Sequence, residues 1–153
     1  MRPFDVFEDD RVKVTAILVP HGPVFPSYAY RFDTADGSVT FSGDTGRSDN
    51  LAALAADTDV LVHEVIDVDY FARLWNNDGA VQHMQEAHTS SQDVGRIATA
   101  ANAKSLVLSH IGPGDSRLVS DDQWLAGVTQ TYGGPVTIGH DLTQIGVGQR
   151  QQG

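Results

Sequence analysis

The 153-residue chain contains no cysteine and few basic residues. Without cysteine, disulfides, thiolate metal sites and cysteine nucleophiles are excluded, so a metal could be held only by histidine, aspartate or glutamate. Ten lysines and arginines stand against 20 aspartates and glutamates, which gives a formal charge of −10. Because such a surface repels phosphate backbones, tight non-specific binding of nucleic acid by this chain alone is not expected.

Long apolar runs are missing as well. No stretch approaches the ~18 apolar residues needed to span a bilayer, and the first residues, Met-Arg-Pro-Phe-Asp, lack the apolar region of a signal peptide. We therefore expect a cytoplasmic chain with no membrane partner. Hydrophobic residues make up 41% and charged residues 20%, which predicts one globular domain over residues 1–153 with a frayed tail at 149–153.

Several short catalytic and binding motifs are absent. Neither G-x-G-x-x-G nor G-x-x-x-x-G-K-[ST] occurs in the sequence, which argues against a nucleotide-binding module. No G-x-S-x-G segment is present either, which argues against a serine hydrolase of the α/β type.

The hydrophobic pattern predicts a mixed α/β fold. Alternating apolar residues indicate strands, and a turn at Ala35-Asp36-Gly37 indicates a hairpin. Short continuous apolar runs indicate strands that are buried on both faces. The predicted strands are Val12–Val19, a hairpin from Tyr28 to Phe41, Val60–Val62, Leu106–Leu108, Val136–Ile138 and Gln144–Val147.

Apolar residues with helical spacing and capping residues predict four helices between these strands. The clearest follows a capping box at Thr89-Ser90-Ser91-Gln92 and carries the stripe Val94, Ile97, Ala98 and Ala101. The others cover 48–56, about 67–76 with a break at Asn77-Asp78-Gly79, and a segment that begins at Ser120 and ends at Gly133-Gly134-Pro135.

Side chains able to bind metals or move protons follow four of the predicted strands. Asp44 follows the hairpin, and Glu64 and His110 each follow a buried strand. His21 follows the first strand. Sites assemble at the carboxyl ends of strands in layered α/β proteins, because loops converge there over a rigid sheet. Imidazole and carboxylate are ligands suited to Zn²⁺, Mn²⁺ or Fe.

Each residue also has a structural interpretation. Asp44, between two glycines, fits a turn residue, His110 fits a histidine at a strand end, and His88 fits a residue that precedes a helix cap. Glu64 is harder to explain in this way, since an unpaired buried carboxylate costs several kcal/mol. Three histidines are predicted not to be ligands: His63, which should face away from Glu64, and His83 and His140 in loops.

The order of five short motifs resembles one family. The motifs are His-Gly at 21–22, Ser-Gly-Asp-Thr at 42–45, His-Glu at 63–64, His-Thr-Ser at 88–90 and Leu-Ser-His at 108–110. Together they resemble the metallo-β-lactamase-fold hydrolases, in the branch that contains ribonuclease Z and the arylsulfatase-like enzymes. The resemblance extends from Val12 to Val147 and corresponds to the C-terminal half of that fold. It implies half of an αββα sandwich, with a mixed sheet and covering helices.

The resemblance also implies roles for individual residues. His21 matches a ligand of the first metal, Asp44 the carboxylate that bridges two metals, and His110 a ligand of the second. Glu64 and His88 match a pair in which the carboxylate orients a histidine near the leaving group. The implied activity is hydrolysis of a phosphodiester, sulfate ester or related small anionic ester by water activated on two Zn²⁺ ions.

One hallmark of the family is absent from this sequence. The His-x-His-x-Asp-His segment, which supplies four further ligands in the N-terminal half, does not occur. The remaining ligands are too few for a stable zinc site, so we expect the chain alone to be inactive or poorly active. It would need a partner, namely the missing N-terminal half or a second copy meeting an exposed apolar sheet face. The alternative is a non-catalytic remnant that folds or associates but binds little metal.

Overall fold

One seven-stranded sheet organises the chain, with its strands in sequential order. The computed structural model describes residues 1–75 and 77–148. The first four strands pair antiparallel, and the last four, beginning with the fourth, pair parallel. The strands are β1 (Phe4–Glu8), β2 (Val12–Leu18), β3 (Tyr28–Thr34), β4 (Ser38–Phe41), β5 (Val60–Ile66), β6 (Leu106–Gly112) and β7 (Val136–Ile138). The predicted mixed α/β fold is confirmed.

Within residues 1–75 and 77–148, five helices connect the strands: α1 (Asp49–Leu54), α2 (Val68–Trp75), α3 (Asp78–Ala87), α4 (Ser91–Ala100) and α5 (Asp121–Thr129). Helices α1, α4 and α5 cover one face of the sheet, where their apolar stripes form the core with β5 and β6. The predicted stripe of α4 is buried along its whole length. Ser120 caps α5 in a reciprocal capping box with Gln123, as predicted.

The other face of the sheet borders a groove of about 880 Å³. The groove is lined by apolar strand residues, by residues 139–147 and by Asp121 and Trp124 of α5. Phe41 is 44% exposed on this side, whereas Val60 and Val107 are buried. The expected apolar face is therefore present but partly covered by the chain's own C-terminal segment.

Some predicted elements were wrong. The break predicted at Asn77-Asp78-Gly79 is present, since α2 ends by Trp75 and Asn77 has an extended backbone, but a helix that was not predicted begins there: the Asn77 side chain accepts a hydrogen bond from the Ala80 N–H and caps α3. The loop assigned to His83 is therefore helical. No strand forms at Gln144–Val147, and the edge strand β1 was not predicted because all five of its residues are exposed.

Other boundaries shift by a few residues. The cap of α4 is Ser90 rather than Thr89, and it accepts a hydrogen bond from the Asp93 N–H. Strands β5 and β6 continue beyond their apolar runs, so Glu64 and His110 lie within strands and not after them. The predicted frayed tail at 149–153 and the end of the predicted helix at Asn76 fall outside the described residues. Among the residues that are described, no helix is both long and apolar enough to cross a membrane.

Candidate active site

The predicted site residues lie near one edge of the sheet because of how the strands run. Strands β4, β5 and β6 are parallel, and β2 points the same way since it is separated from β4 by one antiparallel strand. Their carboxyl ends therefore meet at one edge. Asp44, Glu64 and His110 come from β4, β5 and β6 or the loops after them, and His21 follows β2.

Asp44 is held in a sharp turn directly after β4. Gly43 has a φ of +60°, and a Cβ at that position would lie 2.8 Å from the carbonyl oxygen of Tyr28. Only glycine fits a left-handed backbone so close to another chain segment. The Ser42-Gly43 pair thus turns the chain so that the Asp44 side chain is partly exposed beside β5 and β6.

His110 projects from an irregularity in β6. The β5–β6 register shifts between Ser109 and Ile111, and His110 between them has a φ of +44°. Such bulges turn a side chain away from the regular alternation of a strand. The His110 Nε2 lies 3.6 Å from the Asp44 Oδ2, close to the ~3.3 Å that separates two ligands of one tetrahedral zinc ion.

His21 is oriented by the end of helix α3. Its Nδ1 lies 2.7 Å from the carbonyl oxygen of Ala87. Because a carbonyl oxygen can only accept, Nδ1 is the donor in this contact, which leaves Nε2 as the ring nitrogen available to a metal. This arrangement, in which one ring nitrogen donates to a backbone carbonyl and the other is free, is typical of metal-binding histidines.

Glu64 is buried and its two carboxylate oxygens differ sharply. Oε1 accepts hydrogen bonds from the backbone N–H groups of Thr45 and Thr89, both over 3.1 Å, and lies 3.2 Å from the His88 Nδ1. Within the described part of the chain, Oε2 has no hydrogen-bond partner. Glu64 also lines a recess of about 200 Å³ together with Asp44, Ser109 and His110.

The Glu64–His88 pair binds a proton more readily than the isolated side chains. Burial raises the pKa of Glu64, although the hydrogen bond from His88 opposes this. The hydrogen bond to Glu64 raises the pKa of His88, which its partial burial opposes. Both directions favour retention of a proton, and the nearby Asp44 carboxylate acts in the same sense on both groups.

His88 lies between the other two histidines. Its ring is stacked on that of His110 at a centroid distance of 5.7 Å and meets His21 edge-on at 5.0 Å. Glu64, His88 and His110 each offer a ligand atom within 4.8 Å of the others. Of the three residues predicted as metal ligands, only His110 belongs to this group; Asp44 lies beside His110, and His21 is placed near the group only through its contact with the His88 ring.

None of the three histidines predicted not to be ligands belongs to the group of Glu64, His88 and His110 found among the described residues. His63 is fully buried, with its Nδ1 donating to the carbonyl oxygen of Glu64 over 2.6 Å. His83 lies beside Gly22 on α3, and His140 lies 3.7 Å from Asp121. Burial lowers the pKa of His63 from 6.5 to about 4, so this ring is neutral in the folded protein.

Sequence reasoning missed the groups that hold these side chains in place. The Ala87 carbonyl that orients His21 ends a helix that was not predicted. Thr45 and Thr89, whose N–H groups bind Glu64, were seen only as parts of the Ser-Gly-Asp-Thr and His-Thr-Ser motifs. The sequence clue to their role was that Thr45 directly follows Asp44 and Thr89 directly follows His88.

His21, Asp44 and His110 fit a metal-binding role. They supply the nitrogen and oxygen donors that zinc accepts, and two of them are held at a suitable separation. Three residues are too few for two zinc ions, because each zinc ion normally takes three or four protein ligands.

Comparison with known proteins shows clear relatives in sequence. No protein-family model matches the chain. The protein named putative ribonuclease Z from Mycobacterium tuberculosis strain CDC 1551 is 33% identical over 148 residues, which cover 93% of this chain and 63% of that protein. Ribonuclease Z of strain H37Rv matches at the same identity, with 52% of its length covered. The chain thus spans between half and two thirds of the length of these relatives.

Solved structures resemble the fold over most of the chain. The metallo-β-lactamase fold protein YhfI from Bacillus subtilis superposes with a TM-score of 0.66 at 22% identity, covering 89% of this chain and 49% of that one. Zn²⁺-bound PqqB from Methylobacterium extorquens gives a TM-score of 0.59 at 17% identity, covering 90% and 51%. The shared part is again about half of each neighbour.

Proposed function

We propose that this chain, which has part of a metallo-β-lactamase fold and is a sequence relative of ribonuclease Z, supplies part of the active site of a metal-dependent phosphodiesterase. The observation that carries the proposal is the meeting of two kinds of group at one edge of the sheet. Asp44 and His110 lie 3.6 Å apart, and the hydrogen-bonded Glu64–His88 pair lies beside them.

His21, Asp44 and His110 would hold the metal. Their donor types favour zinc, and zinc occurs in the PqqB structure that shares this fold. When bound, the metal would polarise a phosphoryl oxygen and lower the pKa of a bound water toward ~7. The protein's own contribution is to orient His21 through the Ala87 carbonyl and to keep Asp44 beside His110.

His88 would protonate the departing oxygen of the ester. Its Nδ1 is engaged by Glu64, so Nε2 is the nitrogen available to substrate. The raised pKa of His88 keeps more of the ring protonated near neutral pH. A positioned general acid of this kind contributes about 10²–10⁴-fold to rate. Glu64 acts through His88 as a positioning residue.

A small phosphodiester is the substrate class that we propose. The relatives are named ribonuclease Z, an enzyme name that denotes phosphodiester cleavage in RNA, and this favours phosphodiesters over sulfate esters. The formal charge of −10 disfavours a long polyanion for this chain alone. RNA cleavage by an assembled enzyme is the competing outcome of the test.

The remaining metal ligands would come from a second polypeptide part that packs on the partly covered face of the sheet. The relatives are longer than this chain, and the groove of about 880 Å³ with its apolar border lies on that face. We propose that a segment with His-x-His-x-Asp-His ligands binds there and completes the site.

Metal analysis with and without that part tests the proposal. The purified chain should hold less than one zinc ion, and a polypeptide that carries the family's His-x-His-x-Asp-His half should restore metal binding and hydrolysis of a chromogenic phosphodiester. A folded partner that restores neither would favour the alternative of a non-catalytic remnant. Cleavage of RNA but not of the small diester would identify the longer substrate.

Three substitutions separate the roles in the reconstituted protein. Asp44→Ala and His110→Ala should remove metal and activity together, whereas His88→Ala should retain the metal and lower turnover about 10²–10⁴-fold. Lys104→Ala, at a side chain that is 67% exposed and pairs with Asp59 outside the cluster, is the control and should change neither. Equal metal loss in all three site variants would contradict the assigned roles.

A further inference from the structure

We infer that Thr45 and Thr89 are positioning residues whose linked hydrogen bonds hold the metal-binding segments and the Glu64–His88 pair at a fixed separation. This inference rests on the proposed function for the roles of His21, Asp44 and His88. It adds a function for two buried threonines, each of which directly follows one of those residues in the chain.

Thr45 contacts three separate segments of the site. Its N–H donates to the Glu64 Oε1 over 3.1 Å, and its carbonyl oxygen accepts from the Thr89 hydroxyl over 2.6 Å. Its own hydroxyl lies 3.0 Å from the carbonyl oxygen of Pro20, the residue before His21. Its single hydroxyl proton is shared with the Gly46 carbonyl oxygen at 2.7 Å.

Thr89 supplies the complementary half of this network. Its N–H donates to the same Glu64 Oε1 over 3.1 Å, while its hydroxyl donates to the Thr45 carbonyl. Its own carbonyl oxygen accepts from the Ile66 N–H over 2.9 Å, which fixes it to the end of β5. Both threonines are almost completely buried, at 0% and 1% exposure.

The network reinforces segments that are joined beyond the strands by isolated contacts, such as the 2.8 Å bond from the Gly46 N–H to the Pro20 carbonyl and the bridge between Ile66 and Ser90. Sheet pairing holds β4 to β5, but the loops that carry His21, Asp44 and His88 lie beyond the strands. The bonds of the network end on Glu64 itself or within two residues of His21, Asp44, Glu64 or His88. Since a misplacement of about 1 Å can cost about 10² in rate, these bonds matter for the site as well as for stability.

The test compares valine and serine variants of Thr45 and Thr89 with a valine variant of a control threonine outside the site. Thr45→Val and Thr89→Val remove the hydroxyl with little change in shape, whereas Thr45→Ser and Thr89→Ser keep it. Thr58 is the control, because it is also fully buried and its hydroxyl also lies within hydrogen-bonding distance of a threonine and a backbone carbonyl. It lies at the other end of the sheet, so Thr58→Val should cost similar stability without reaching the site.

The readout is the side-chain ¹⁵N spectrum of His21 and His88 at one mildly alkaline pH, recorded on the folded chain without metal. In the wild type, His21 should show a protonated Nδ1, as its bond to the Ala87 carbonyl requires. Both valine variants should shift the His88 signals and move them toward those of a free imidazole. Thr45→Val should also shift the His21 signals, while the serine and Thr58→Val proteins should retain the wild-type spectrum.

The inference is overturned if the valine variants keep the wild-type histidine signals while losing as much stability as Thr58→Val. It is also overturned if both valine variants fail to fold while Thr58→Val folds, since that result assigns the network to stability. Because the readout needs neither metal nor substrate, its failure is distinguishable from failure of the proposed function, which metal analysis and hydrolysis decide.

Discussion

Two polar clusters lie at opposite ends of the parallel strands β4 and β5, and they differ in how fully their groups are paired. At the amino end, the Asp59 Oδ2 accepts from the N–H and hydroxyl of Ser38, and its Oδ1 accepts from the Lys104 ammonium over 2.6 Å. At the carboxyl end, the Glu64 Oε1 has three nearby donors, whereas Oε2 has none among the residues that the structure describes.

The pKa directions follow this difference. The Lys104 ammonium and the Ser38 N–H lower the pKa of Asp59, so the amino-end carboxylate is stabilised in its charged form. Burial raises the pKa of Glu64. A cluster whose polar groups are all hydrogen-bonded to one another stabilises the fold. A cluster with an unpaired carboxylate oxygen and available imidazole nitrogens can still bind a ligand or transfer a proton.

Removing the Glu64 charge should have the largest effect. Glu64→Gln keeps the side-chain shape but removes the carboxylate that orients and charges His88. We expect turnover of the reconstituted enzyme to fall about 10²–10⁴-fold. In the isolated chain, the pKa of His88 should fall toward its ordinary value, as measured by NMR titration.

The pH dependence of activity provides a second test of the same prediction. If His88 acts as an acid, activity is lost as pH rises through the His88 pKa, which Glu64 raises. The alkaline limb of the profile should therefore move to lower pH in Glu64→Gln. An unchanged His88 titration would show that the two side chains are not coupled and would contradict the assignment.

The next largest expected effect is the loss of stability at low pH that protonation of His63 in the unfolded chain causes. This residue neighbours Glu64 on β5 but is fully buried, with its pKa lowered from 6.5 to about 4. Since the unfolded chain takes up the proton first, stability should fall as pH decreases from 6.5 to about 4. The loss over this window should be about 3 kcal/mol.

Chemical denaturation of the wild type and of His63→Leu across that window measures the effect. The leucine variant should lose this part of the pH dependence, while His140→Gln, at an exposed histidine, should retain it. The raised pKa of Glu64 has the opposite effect, because it contributes stability that is lost as pH rises. Both proteins contain Glu64, so the difference in unfolding free energy between wild type and His63→Leu isolates the contribution of His63. A parallel pH dependence in both proteins would mean that His63 is not buried as a neutral ring.

The sequence predicted the parts of this contrast that depend on local patterns. The strand hairpin, the stripe of α4 and the capping box of α5 follow from periodicity and capping, which act over a few residues. The burial of Glu64 followed from its position after an apolar run. Strand order also explains why Asp44 and His110, 66 residues apart in the chain, lie 3.6 Å from each other.

What could not be predicted depends on contacts between distant segments. Helix α3 begins at Asp78, directly after its cap Asn77, in a segment that locally also fits a turn, and its His83 lies beside the distant Gly22. The Ala87 carbonyl that orients His21 depends on that helix. The two threonines bind Glu64 through backbone N–H groups, which every residue but proline has, so residue type alone does not reveal them.

Replacing Asp59 should have the smallest effect and should leave the other cluster unchanged. Asp59→Asn removes the charge that pairs with Lys104 but keeps an acceptor for the Ser38 N–H. Because the Lys104 side chain is 67% exposed, solvent screens much of the pair, and we expect a loss of about 1 kcal/mol in unfolding free energy near neutral pH.

The lowered pKa of Asp59 means that this contribution is present above its ordinary value of 3.8 and is lost as pH falls below it. Denaturation should show that difference vanish in acid, while the ¹⁵N signals of His21 and His88 stay at their wild-type positions. A shift of those signals would mean that the two ends of the sheet are coupled and that pairing at the amino end also serves the site.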